Sequence, residues 1–296
     1  MAEKVHEFGG SWTHKKLENL SKYLSAYTKI FTTNPKAKFY KTIYIDAFAG
    51  TGYRKQKGDD ADSLLLPFFD EVDVQEFYDG SAKIALQNLP RFNKYIFIEQ
   101  DKERIKSLNE LKSEFPHLAK DVLIENEDAN RILLKICKKV DWKKFRAVIF
   151  LDPYGMQVEW ETIKTIAATK AIDVWILFPL GVAVSRLLRK KGIINPKIKE
   201  RLDKTFGADD WLSEFYIEED IESLFGSEQK IRKIGDFNKI SKYFTKRLKT
   251  IFEGVADNPL PLFNSRNNPL YLLCFAASNE RGAKAALRIA NYILKH

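Results

Sequence analysis

Ile149-Phe150-Leu151-Asp152-Pro153-Tyr154-Gly155-Met156 is the stretch on which the fold turns. The apolar run from Ala147 to Leu151 is partly β-branched and lacks polar alternation, the pattern of a strand buried on both faces. Asp-Pro-Tyr-Gly then stops it. Pro153 has no N–H to give a ladder, and Gly155 permits backbone that other residues resist. A carboxylate, a carbonyl and an aromatic ring are thereby presented together at the carboxyl end of a central strand, where open α/β sheets bind ligands. Asp, Pro and Gly are also ordinary turn residues, so the tetrapeptide alone reads equally as a strand-to-helix turn.

On the N-terminal side, Leu17, Leu20, Leu24, Tyr27 and Phe31 recur at helical spacing and predict a helix from about Trp12 to Phe31. Thr13, His14, Lys15 and Lys16 open it; His14 and Lys15 read either as facing a ligand or, in preference, as a solvated first turn. A β-branched strand, Thr42-Ile43-Tyr44-Ile45-Asp46, runs into Ala47-Phe48-Ala49-Gly50-Thr51-Gly52. Glycines there let the backbone approach a ligand. Tyr53 and Arg54 follow in place of a third glycine and a helix, which disfavours a nicotinamide cofactor. Residues 53–79 read as an inserted loop of the kind that forms lids. Ser81 opens a helix. Lys94 to Glu99 is a second strand whose terminal acid stands where nucleoside sites bind ribose hydroxyls. A third strand, Val122 to Glu125, leads to Asp128, which reads either as a helix N-cap or as an acceptor for an adenine amine.

Beyond the central stretch, Trp160 to Ala167 reads as a helix and Ile172 to Pro179 as a fifth strand. Five alternations of strand and helix predict an α/β fold with a doubly wound, mostly parallel sheet. Residues 185–265 read as a basic helical insertion within one domain, 1–296, with Arg186, Arg189, Lys190 and Lys191 as a phosphate-binding rim. An acidic patch lies within it, from Asp209 to Glu222. Trp211, Phe215 and Tyr216 read either as rings that stack on bases or, in preference, as core. A late strand, Pro269 to Ser278, and a terminal helix close the chain.

The chain of 296 residues carries a net charge of +9, which favours a polyanionic partner. No apolar run approaches the roughly 20 residues of a membrane span, and the charged N-terminus lacks an apolar signal core. Its two cysteines, Cys137 and Cys274, have no metal-ligand spacing and read as buried thiols of a reducing cytoplasm.

Asp46-x-Phe48-Ala49-Gly50-x-Gly52, Glu99, Asp128 and Asp152-Pro153-Tyr154-Gly155 stand in the order of a class I S-adenosylmethionine-dependent methyltransferase, whose Rossmann-like fold the chain resembles. More closely, it resembles the bacterial three-Cys-motif partner proteins. Tyr44 to Gly50, Asp79-Gly80-Ser81, Leu151 to Gln157 and the run from Trp175 to Leu188 carry that likeness. The resemblance implies S-adenosylmethionine as cofactor, with Gly50, Gly52 and Phe48 beside it. Asp46 would lie near its amino group, Glu99 at the ribose and Asp128 at the adenine. It also implies a cysteine-motif companion protein. The tetrapeptide is similar to the Asp/Asn-Pro-Pro-Tyr/Phe motif of enzymes that methylate exocyclic amines, with Tyr154 and Gly155 as departures, and to the Asp-Pro-Phe/Tyr-Gly form of tRNA guanine-N2 methyltransferases. The expected activity is methyl transfer to adenine N6 or guanine N2 of a nucleic acid. Asp152 and Pro153 would accept from the amine, and Tyr154 would stack on the base. Arg54 and Gly155 would contact the substrate with the basic rim. The alternative is a catalytically silent binding or regulatory protein that keeps the fold.

Overall fold

A central strand with no polar side chain to expose must be covered on both sides, and the chain meets that demand with helices on either face of one sheet. The computed structural model describes residues 11–49, 80–188, 195–223 and 226–296. The elements of the first half are α1 (Ser11–Thr33), β1 (Lys41–Asp46), α2 (Ser81–Gln87), β2 (Lys94–Ile98), α3 (Lys102–Glu114), β3 (Val122–Glu125), α4 (Ala129–Lys139), β4 (Phe145–Leu151), α5 (Trp160–Ala168) and β5 (Ile172–Phe178). Then follow α6 (Pro196–Phe206), α7 (Trp211–Phe215), β6 (Tyr216–Ser223), β7 (Gly226–Lys233), α8 (Phe237–Lys249), β8 (Gly254–Val255), β9 (Leu260–Phe263), β10 (Pro269–Ala277) and α9 (Glu280–Lys295).

The main sheet runs β3-β2-β1-β4-β5-β10-β8, with β9 also paired to β10. The pairs from β3 through β5 are parallel, and β10 lies antiparallel to β5. This is the doubly wound, mostly parallel, Rossmann-like sheet expected from the alternation. The chain winds outward from β1 to β3, then returns to β4 and continues to β5, so the order reverses between β1 and β4. Right-handed crossovers on either side of that reversal put the helices on opposite faces. Accordingly α1 packs with α2 and α9, while α4, α5 and α6 pack in succession. Asp46 pairs in register with Phe150, so the ends of β1 and β4 lie side by side at the switch point.

Phe150, Ile149, Val148, Trp175 and Phe275 are fully buried. Tyr23 of α1 closes the sheet face, its ring 5.4 Å from that of Trp175 and 4.9 Å from that of Phe275. Cys137 and Cys274 are buried free thiols, as the sequence suggested.

The helical insertion expected over 185–265 holds α6, α7 and α8, and is corrected in also holding strands. The C-terminal half of its acidic patch forms β6, paired antiparallel with β7, and β8 and β9 at its C-terminal end belong to the main sheet. The helices of the insertion pack on the sheet through aromatics: Phe178 of β5 stacks on Phe244 of α8 at 3.9 Å. Phe206, Trp211 and Phe215 are fully buried beside them, with Tyr216 nearly so. Among the described residues no helix is long and apolar enough to cross a membrane.

Candidate functional site at the switch point

β1 and β4 each end in a carboxylate. Asp46 is fully buried at the last position of β1. Its Oδ2 accepts from the Tyr44 hydroxyl at 3.2 Å, and its Oδ1 accepts from the Phe48 N–H at 3.4 Å. Burial pushes the Asp46 carboxyl up to about 7; the negative charge of Asp152 adds to the rise, and hydrogen bonds from Ser81, Tyr44 and Phe48 oppose it. Among the described residues no cation is paired with Asp46.

Asp152 has such a partner. Lys16 of α1 donates from Nζ to Asp152 Oδ2 at 2.6 Å, and the lysine is only 1% exposed. The ammonium also lies 5.2 Å from the centre of the Trp12 ring and 5.9 Å from that of Phe150. The solvated first turn read for His14 and Lys15 does not extend to Lys16. The helix carries its N-terminal half over the ends of β1 and β4, and the aromatic walls exclude water from the pair. His14 stays exposed in a loose pairing with Glu18. Thr13 and Asn19, within a turn of Lys16, are buried, and among the described residues nothing hydrogen-bonds Thr13 Oγ1 or Asn19 Nδ2.

The segment after Asp152 is held by a set of bonds. The Tyr154 N–H donates to Gln157 Oε1 at 2.9 Å, and its carbonyl accepts from the Tyr271 hydroxyl at 3.2 Å. Asn130 of α4 donates to the Gln157 carbonyl at 2.9 Å and accepts from the Glu159 N–H and the Thr162 hydroxyl. Among the described residues, no donor reaches Asp152 Oδ1 or the Pro153 carbonyl. Pro153 and Gly155 are buried and line a cavity of about 10 Å³ with Met156, Ile163 and Phe178. Gly155 therefore sits in the packing beneath the segment. Tyr154 is half-buried, with the Arg104 guanidinium 5.4 Å from its ring centre.

Glu99, just past β2, accepts from the Asp101 N–H at 2.8 Å and lies 3.6 Å from Arg104. Arg104 thus joins Glu99 to Tyr154, a link the sequence did not reveal. Asp128 is the N-cap of α4, accepting from the Arg131 N–H at 3.0 Å, which fulfils one of its two sequence readings. Phe48 is half-buried beside Asp46. Gly50, Gly52, Arg54, Arg189, Lys190, Lys191 and the expected lid lie outside the described residues, as does the side chain of Arg186.

No protein-family profile matches the chain, and no curated protein sequence matches it. Among solved structures, it is similar to protein LPL1258 of Legionella pneumophila, a DUF519 protein: 13% identity, 98% of this chain and 93% of that one, TM-score 0.44. It is also similar to spermidine synthase of Thermotoga maritima, at 10% identity over 91% of this chain and 60% of that one, TM-score 0.34. A third is the glycopeptide N-methyltransferase MtfA complexed with S-adenosylhomocysteine, at 8% identity over 87% and 89%, TM-score 0.31. The fold is read from the chain's own strand order; these likenesses stand beside it.

Proposed function

We propose that the chain transfers a methyl group from S-adenosylmethionine to an exocyclic amine of a nucleic-acid base, adenine N6 or guanine N2. The observation that carries the reading is the pair of acceptors that no donor reaches among the described residues, Asp152 Oδ1 and the Pro153 carbonyl, with Lys16 holding the Asp152 carboxylate at the switch point.

The residues fit the cofactor. Asp46 is a buried carboxyl with no cation paired to it among the described residues, and the amino group of the methionine part would supply one. Glu99 closes the next strand, where a ribose would lie, and Asp128 retains an oxygen that does not cap α4. When bound, S-adenosylmethionine supplies an electrophilic methyl group on a sulfonium. The chain's own work is on the amine. Its lone pair is delocalised into the base, and two acceptors on its hydrogens localise and aim it. Acceptors fixed before charge develops cost no reorganisation at the moment of reaction. Lys16 occupies Oδ2 and so leaves Oδ1 to the substrate. As nitrogen gains the methyl carbon it loses a proton, for which Asp152 Oδ1 is the adjacent acceptor. The target base must be single-stranded or flipped out to reach the segment.

The test is methyl transfer to RNA and DNA by the wild type and by Asp152→Ala, with cofactor binding followed by thermal shift. Saturation at about 100 times the dissociation constant adds about 2.7 kcal/mol of stability. Transfer abolished with the shift retained supports the reading; retained turnover in the variant overturns it.

One observation favours a second reading. Arg104 lies over the Tyr154 ring on which a base would stack, and the tetrapeptide departs from the amine-methylating motif at Tyr154 and Gly155. A catalytically silent, cofactor-binding protein working with a cysteine-motif companion would keep these features. It would show the cofactor shift with no transfer to any nucleic acid, with or without that companion.

A further inference from the structure

The sheet has a second end, and it holds the protein's charge. Four segments meet at the N-terminal ends of β1, β2, β3 and β4: residues 34–41, 88–94, 119–121 and 138–146. Backbone bonds lace them together, with the Lys41 N–H donating to the Lys144 carbonyl and the Tyr95 N–H to the Asp121 carbonyl. Together they contain eleven Lys and Arg against two Asp, an excess of nine, equal to the net charge of the whole chain. The base of β5 adds no free cation, since Lys170 is paired there with Glu253 at 2.8 Å and Asp173 is buried. The rest of the molecule is balanced.

Helix C-termini attract cations, which accounts for Lys138 and Lys139 in the last turn of α4. It does not account for Lys36, Lys38, Lys41, Arg91, Lys94 and Lys143, which lie outside helices. Lys41, Arg91 and Lys94 line one cleft of about 310 Å³ with Asn93, Asp121 and Phe145. Only Lys94 has a carboxylate within ion-pair distance among the described residues, Asp121 at 2.8 Å. Beside the cleft stands an aromatic step. Phe39 is 65% exposed and packs on Tyr40 with ring centres 4.1 Å apart, while the Arg146 guanidinium lies 3.7 Å from the centre of the Tyr40 ring.

We infer that this end of the sheet is a docking surface for a nucleic-acid backbone. A recessed cleft with two unpaired cations suits a phosphodiester chain, where a flat bilayer would meet only its rim. The exposed ring beside it suits a base stacked outside the duplex. The inference takes its partner class from the function proposed above and deepens it. Strand β4 alone separates the two ends by about 20 Å, so a nucleic acid that meets both spans at least that distance.

The test is binding, which needs no methyl transfer. Fluorescence anisotropy of the full chain is followed on a labelled RNA of about 40 nucleotides between about 50 and 200 mM salt. The triple variant Lys41→Gln, Arg91→Gln, Lys94→Gln should bind at least about tenfold more weakly at low salt. Its log–log salt slope should be smaller by about 2–3, the release expected for three phosphate contacts. Its thermal shift with cofactor should match the wild type, which shows that it folds. Lys242→Gln, Lys246→Gln, Lys249→Gln on α8 is the comparison and should bind as the wild type does. Unchanged binding in the cleft variant, or a loss confined to the α8 variant, overturns the inference. So does sedimentation with anionic phospholipid vesicles in the absence of RNA binding. A failure of methyl transfer with cleft-dependent binding intact would reject the proposed reaction and leave this surface standing.

Discussion

At the residue scale the site rests on Lys16, which lay in plain view in the sequence and could not be recognised there. Its neighbours in the chain are His14, Lys15 and Glu18, and charge among charges reads as a wet helix turn. Burial and a partner 136 residues away make it part of the site, and both are tertiary facts. Asp152, by contrast, was legible because a strand ending in Asp-Pro fixes where its carboxylate must be. Removing one member of a buried pair strands the other. Lys16→Met should therefore lower stability by about 3 kcal/mol in urea denaturation. Lys16→Met with Asp152→Asn should recover most of that loss while transferring no methyl group. Additive losses in the double variant would show that the two side chains do not act as a unit.

Among elements, the strands were readable and the insertion was not. β4 and β5 announce themselves by unbroken apolar runs. The β6–β7 hairpin does not, because its strands read Tyr216-Ile217-Glu218-Glu219-Asp220-Ile221 and Gln229-Lys230-Ile231-Arg232-Lys233, too charged for a buried strand. The two strands pair antiparallel along their length, from Tyr216 opposite Lys233 to Ser223 opposite Gly226, a pairing that no apolar pattern announces. The segment after β4 owes its shape to α4. Asn130 is the tie, and it makes three of its bonds to that segment and the start of α5. Asn130→Ala should cost about 1–3 kcal/mol through groups left unsatisfied. It should lower kcat more than it weakens cofactor binding, because it loosens the acceptors and not the cofactor's carboxylates. Equal effects on both would mean that the cofactor also depends on this tie. Gly207 ends α6 at φ +66°, where a Cβ would lie 1.9 Å from Trp160 Cδ1. Gly207→Ala should destabilise by more than about 1 kcal/mol, since strain and overpacking act together. A midpoint in urea equal to that of the wild type would contradict it.

For the whole molecule, net charge was legible as a total and illegible as a distribution, since helices and strands that are distant in sequence bring their basic ends to one side. The same holds for buried acids. Asp173 stands near the start of β5, where it accepts from the Tyr23 hydroxyl at 2.7 Å. Burial pushes its carboxyl from 3.8 up to about 7, against the opposing influences of the Tyr23 hydrogen bond and the Arg146 charge. Asp46 is raised to the same region. Between these limits the native protein holds protons that the unfolded chain has released, so stability must fall as pH rises. The contribution is fully present below 3.8 and is lost as pH passes through about 7. The melting temperature should accordingly decline from about pH 5 to pH 8. Asp173→Asn keeps an acceptor for Tyr23 and cannot ionise. It should be more stable than the wild type at pH 8, approach it at pH 5, and flatten the decline without removing it, because Asp46 still titrates. A wild-type profile that stays flat over this interval would show that both carboxyls are already ionised in the fold. The ammonium of a bound cofactor would then meet a charge already present at Asp46, and cofactor affinity would not strengthen as pH rises through 7.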